Sequence, residues 1–296
     1  MKTRHILCIL LTVAVFSSCV RDEIAPCPPL QVNITVKDKN YFNVDKVELE
    51  QRLDDNLAFR EYIPTLHYML CDAATGEVVE EQGVFTVEGD EKTFPITFCD
   101  CIPHGKYILT VWGGLDDINP LADDHTSVVF HPENREGNDI YLANDTLVYD
   151  AWNYDHIVDM ERTKGKLVIQ ATNLPACISR TDKSVGGLYG KLDCNFKYSD
   201  ETTVYTETPW NVPAEIVTKT VLAPSIKKDG SALNVNFYAA TGNDTPVLMP
   251  QNVNITMKRN ELTVLRYVYD EDKDDFTIYI LVNAAWQQVV DLDIQE

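Results

Sequence analysis

The sequence predicts an all-β protein with a β-sandwich in each half. Three observations carry that prediction. Short segments of period-two hydrophobic alternation recur along the chain, Gly, Pro, Asn and Asp punctuate them, and windows with helical periodicity are nearly absent among 296 residues that include 14 tyrosines.

The chain opens with Lys2 and Arg4, an apolar run from Ile6 to Phe16, then Ser17, Ser18 and Cys19. A basic start, a short greasy core and small residues mark a secretory signal over residues 1–18, too short to remain as a spanning helix. The cysteine directly after the small pair makes the stretch resemble a bacterial lipoprotein signal, with Cys19 as the lipidated first residue of the mature chain. Stable anchoring needs more than one acyl chain, because each buried methylene contributes only about 0.8 kcal/mol. Residues 19–29 then read as a tether, held extended by Pro26, Pro28 and Pro29. The acidic pair Asp22-Glu23 close behind Cys19 resembles the surface-export signal of Bacteroidetes lipoproteins, which implies an outward-facing location on the outer membrane.

Order is expected from Leu30. Leu30, Val32, Ile34 and Val36 alternate with polar residues as a half-buried strand does. Asp45 to Phe59 shows a mixed period and reads as a short helix or irregular excursion. Leu66–Cys71 and Glu77–Glu80 flank Asp72-Ala73-Ala74-Thr75-Gly76, a hairpin in which glycine supplies a positive φ. Thr93–Cys99 and Lys106–Trp112 follow, joined through Pro103-His104-Gly105. After Trp112 the text becomes an acidic loop. Asp159 to Gly165, charged and turn-forming, is read as the boundary between a domain at 30–160 and another at 161–296. Strands are then expected at Lys166–Thr172, Leu188–Tyr198, Thr202–Glu207, Glu215–Leu222, Ala232–Ala239, Val253–Met257, Glu261–Tyr269, Asp275–Val282 and Trp286–Ile294.

Loss of Lys2 and Arg4 with the signal leaves 23 basic against 46 acidic side chains, a formal charge of −23. That charge repels phosphate backbones, so no nucleic-acid partner is expected. Six cysteines remain beyond Cys8 and Cys19. In an exported chain an even count invites disulfides, and Cys177 and Cys194, alone in the second half, are the candidate pair. Cys27, Cys71, Cys99 and Cys101 form the other group, with connectivity open. Cys99-Asp100-Cys101 lacks the spacing of a zinc module. No catalytic site, metal site or cofactor is expected: nucleophile elbows, His-Glu-x-x-His helices and phosphate loops are all missing from the sequence. His125 and His131 are the closest histidine pair, in acidic loop text. Asp116, Asp117, Asp123 and Asp124 read as a solvated loop, with calcium chelation the alternative. Asp270–Asp275 departs from a calcium loop at its sixth and twelfth places and reads as a hairpin turn.

Taken together, Cys19, the hairpin Leu66–Glu80, the segment from Ile102 through Pro103, Gly105 and Tyr107 to Gly113, and the restart from Arg162 to Ile169 resemble the fimbrial anchor lipoproteins of Bacteroidales, the FimB-like minor fimbrillins. The resemblance implies two transthyretin-like β-sandwich domains in tandem after a lipidated tether. It also implies a fimbrial stalk subunit as partner, a role in holding the fimbrium and limiting its length, and assembly by strand donation. A lipid-held chain would lose its tether if its first strand were cut away, so Leu30–Val36 is expected to stay and the last strands, Asp275–Val282 and Trp286–Ile294, to make the connection. Two alternatives remain: a fimbrial tip adhesin of the same superfamily, and a carbohydrate-binding lipoprotein using Trp112, Trp152, Tyr154 or Trp210.

Overall fold

The computed structural model describes residues 28–99, 102–117, 119–209, 215–239 and 245–289. The signal, Cys19, Cys27, Cys101 and Trp210 lie outside these residues. Among the described residues the fold is all-β, two sandwiches in tandem. The one α-helix is α1 (Phe59–Tyr62), and Asp45–Phe59 is otherwise a 3-10 turn at Val44–Lys46 and irregular chain.

In the first sandwich β1 (Gln31–Val36) lies between β4 (Phe94–Thr97), antiparallel, and β8 (Asp155–Arg162), parallel. Facing it, β3 (Val78–Thr86), β2 (Thr65–Asp72), β5 (Gly105–Gly113) and β7 (Tyr141–Tyr149) form an antiparallel layer. The two layers share backbone pairing at the corner where Tyr141 pairs with Arg162 and Leu142 with Glu161. Val32, Ile34 and Val36 bury the alternate face of β1 in a core shared with Leu70, Leu109, Tyr149 and Met160. The β2–β3 turn is built as its residues suggest: Asp72 accepts the Ala74 and Thr75 N–H groups at 2.8 and 2.9 Å, and Gly76 sits at φ +75°. Before β5, the Tyr107 hydroxyl donates back to the Pro103 carbonyl at 2.5 Å, which folds the Pro-x-Gly-x-Tyr run onto itself.

The second sandwich packs the sheet β11 (Tyr198–Pro209), β10 (Ile178–Asp193), β13 (Ser231–Ala239), β14 (Val253–Ile255) against β12 (Glu215–Leu222), β9 (Gly165–Thr172), β15 (Leu262–Asp270), β16 (Asp275–Val282), β17 (Ala285–Gln288). Leu167, Ile169, Val185, Leu233, Phe237, Leu265 and Tyr267 fill its core.

Three expectations need correction. Leu188–Tyr198 is not one strand: it is the end of β10, a turn, and the first residue of β11. Strands β7 and β8 were not expected, nor was β6 (Ser127–Val129), which leaves the first half of the sequence to pair with β10 of the second sandwich. The run at Asp159–Gly165, read as a charged, turn-forming boundary, is the end of β8 and the start of β9, and Arg162, Thr163 and Lys164 are all buried there.

That buried junction joins the two halves. Arg162 donates from Nε to Asp139 at 2.7 Å, from one terminal nitrogen to Asn260 at 2.8 Å and from the other to the Tyr141 hydroxyl, and its guanidinium stacks on Tyr41 at 4.2 Å. Asn43 exchanges two 2.8 Å bonds with the backbone of Leu262. Trp112, Phe130, Leu142, Leu192 and Ala223 close a separate apolar core beside it. Charges buried with this many partners hold one geometry, because breaking any one strands the others.

Candidate functional site

A protein assembling through strand pairing needs a sheet edge with unused backbone donors and acceptors. The described edges differ in how they are guarded. On β3 the pairing with β2 shifts register twice, each time by an extra residue in β3, and the strand carries Glu80 and Glu81 with Glu77 just before it. Bulges and charges of this kind discourage pairing. Strands β4, β14 and β17 offer only four, three and four residues. Strand β11 is long, but Arg135 already bridges to it at Tyr205.

Strand β12 is different. All eight residues pair in unbroken register with β9, and among the described residues no strand pairs on its other side. Thr218, Thr220 and Leu222 are buried, while Val217 is 38% exposed and Lys219 points to solvent. Val221 N–H points away from β9 and donates to Glu136 at 2.6 Å. N–H direction alternates along a strand, so the Val217 and Lys219 N–H groups point the same way, toward the open edge. Lys219 Nζ is held by Glu50 at 2.8 Å, and Lys166 grips the same carboxylate at 2.9 Å. The two ammonium groups keep the Glu50 carboxyl below its ordinary range despite partial burial.

Of the strands expected to connect, β16 is paired on both sides, by β15 and β17, and is not an edge. In β17, Trp286 is half-buried under the Arg266 guanidinium at 4.1 Å. Among the candidate sugar-binding aromatics, Trp112 is core, Trp152 is 89% exposed and Tyr154 is partly exposed.

The expected Cys177–Cys194 disulfide is not formed. Both carry free thiols, and they flank the two ends of the 16-residue β10. A strand of that length holds its ends roughly 50 Å apart, where a disulfide needs Cα atoms within about 7 Å. Cys71 is a free thiol as well, whereas Cys99 is disulfide-bonded.

The acidic loop uses its carboxylates locally: Asp116 accepts the Asn119 N–H and Asp124 the Thr126 N–H. Asp270 likewise holds its own turn, taking Asp272 N–H and Lys273 Nζ. The two loop histidines are parted. His131 is buried, donates from Nδ1 to the Arg135 carbonyl and accepts Ala223 N–H at Nε2, both at 3.0 Å; burial pulls its pKa down to about 3. His125 turns instead toward the outer face of β2 and β3, beside His67 and Glu81, a grouping no sequence spacing signals.

No protein-family model matches the chain, and no curated protein matches it. Solved structures do. An adhesin candidate from Bacteroides ovatus superposes with a TM-score of 0.60 at 11% identity, covering 90% of this chain and 96% of that one. A polysaccharide-binding candidate from Bacteroides thetaiotaomicron gives 0.56 at 10% identity, over 89% and 99%. The fimbrial anchor protein Mfa2 from Porphyromonas gingivalis gives 0.51 at 12% identity, over 88% and 100%. The chain has the tandem β-sandwich fold of Bacteroidales fimbrial and adhesin-type proteins. The resemblance to fimbrial anchors read from the residues is met at the level of that fold.

Proposed function

We propose that this chain is an outer-membrane lipoprotein, acylated at Cys19 and facing outward, that holds a surface fimbrium by pairing the open edge of β12 with an extended strand of a fimbrial subunit. The sandwich that ends with β8 at Arg162 and the one that begins with β9 at Gly165 are its two units, and the role is structural, with no reaction to catalyse. The straight, unbulged edge of β12 is the observation that carries the reading. The fold shared with the Mfa2 anchor supports it. So does β1, which pairs with β8 over six residues and with β4 over four, so that its release would break two ladders at once. Strand β17 is the smaller second edge for the same purpose.

The anchoring half is tested in a Bacteroidales host carrying this gene as wild type or Cys19→Ala. Wild type is expected in the outer-membrane fraction, and Cys19→Ala in the medium. Equal membrane retention of both chains refutes acylation at Cys19.

One observation favours a second reading. Trp152, presented on the Asp150 turn with its ring open to solvent, is a flat apolar face of the kind that stacks on sugars. Binding to a polysaccharide that Trp152→Ala abolishes would favour a glycan-binding role.

A further inference from the structure

On the outer face of the β2–β3 layer, His67 of β2 and Glu81 of β3 meet His125 from the acidic loop. His67 Nε2 lies 3.0 Å from Glu81 Oε1, and His125 Nδ1 touches the same oxygen. One ligand atom from each residue falls within 4.8 Å of the other two. The imidazole rings stand edge to face at 5.4 Å. His67 is 2% exposed, and its Nδ1 is buried with no hydrogen-bond partner. Glu81 and His125 are open enough to admit an ion from solvent.

We propose that His67, Glu81 and His125 form a binding site for a divalent transition-metal ion of the zinc class, with water as the fourth ligand. Two imidazoles and one carboxylate suit zinc, which takes such donors at about 2.0–2.2 Å in a tetrahedral set whose ligand atoms stand about 3.3–3.5 Å apart. The three ligand atoms already lie within 4.8 Å of one another, close to that spacing. One carboxylate oxygen can accept both imidazole N–H groups, so hydrogen bonding holds the trio without an ion; that convergence gathers three ligand atoms around one point.

The position gives the ion a structural effect. His125 belongs to the loop that continues into β6, and β6 pairs with β10 of the second sandwich. Thr126, the next residue, accepts the Cys194 N–H through its carbonyl at 2.7 Å. A metal would therefore pin the first sandwich's outer strands to a segment already built into the second.

The test is calorimetric titration of the tag-free mature chain with Zn2+, repeated with Ca2+ and repeated on His125→Ala and Glu81→Gln. His67→Ala is avoided because it opens a hole in a buried face; His125 sits in a half-exposed turn. The expected result is one zinc per chain, no comparable calcium binding, and affinity weakened at least about tenfold in His125→Ala. Zinc should raise the melting temperature of wild type and leave that of His125→Ala unmoved. Co2+ in place of zinc should give the intense visible bands of a tetrahedral site. Absence of zinc binding by wild type, unchanged affinity in His125→Ala, or equal binding of calcium each overturns the proposal.

Discussion

Replacing Lys164 by Met should change the pH dependence of stability in a calculable way. The Lys164 side chain is fully buried, its ammonium donating to the Phe130 carbonyl at 2.8 Å and lying 5.1 Å from the Phe130 ring centre. Desolvation outweighs the pull of Asp139 and Glu136 and lowers its pKa from 10.5 to about 7. A base whose folded pKa is depressed destabilises the fold fully below that pKa. The penalty fades as pH rises, because between the two values the unfolded chain holds a proton that the folded chain has released. From about pH 6 to about pH 9 that linkage amounts to about 2–3 kcal/mol. Met keeps the volume and removes the proton. It also removes one of the two hydrogen bonds to the Phe130 carbonyl, which keeps the Asn119 amide at 3.2 Å, at a pH-independent cost of about 1 kcal/mol. Lys183, buried with a pKa near 8, titrates in the same direction but is present in both chains and cancels in the difference. Urea unfolding of both chains across this range should show wild type gaining about 2–3 kcal/mol on Lys164→Met as pH rises. A difference that stays flat would mean that Lys164 holds its proton throughout, and the burial argument would fail.

Two other outcomes follow from the geometry. Gly114 sits at φ +78°, and a Cβ there would stand 2.3 Å from the Asp139 carbonyl oxygen. Gly114→Ala should therefore cost about 2–4 kcal/mol in a urea melt, and a loss below about 0.5 kcal/mol would contradict it. For the thiols, Cys177 is exposed and should react with a disulfide reagent in native protein, while Cys194 should lag, since it is half-buried and desolvation raises its pKa. A Cys177–Cys194 peptide in a non-reducing digest would contradict the strand geometry.

Much of the fold was legible because many strands bury one face against a single core. In β1 the apolar residues alternate in plain view, while β9 and β15 read as short apolar runs because Val168 and Val264 are buried on the second face as well. Where the alternation is broken by polar residues pointing inward, the reading failed. Core-facing positions of β10 hold Thr181 and Lys183, so its first half did not look like a strand. Strand β8 puts Ile157 outside at 72% exposure and Arg162 inside, the reverse of the usual pattern. Strand β7 begins buried on both faces, with Tyr141 in one core and Leu142 in another, and so shows no alternation there. The junction needs Arg162 and Lys164 buried, which composition reads as surface charge. The open edge of β12 was legible as a strand but not as an edge, because pairing partners distant in sequence decide which strands lie outermost. His67, Glu81 and His125 meet for the same reason, brought together by a β2–β3 pairing and a loop whose path no spacing reveals.

The central claim is that the edge of β12 receives a fimbrial strand, and Val217→Pro tests it most directly. The Val217 N–H points to the open side, so proline there removes an edge donor while sparing the ladder to β9. Wild type and Val217→Pro would be captured from detergent-solubilised outer membranes of the native host, with melting temperature and membrane retention measured alongside. Wild type is predicted to carry a ladder of high-mass polymer, and Val217→Pro to fold and stay in the membrane without it. A polymer captured equally by both chains would contradict pairing at β12.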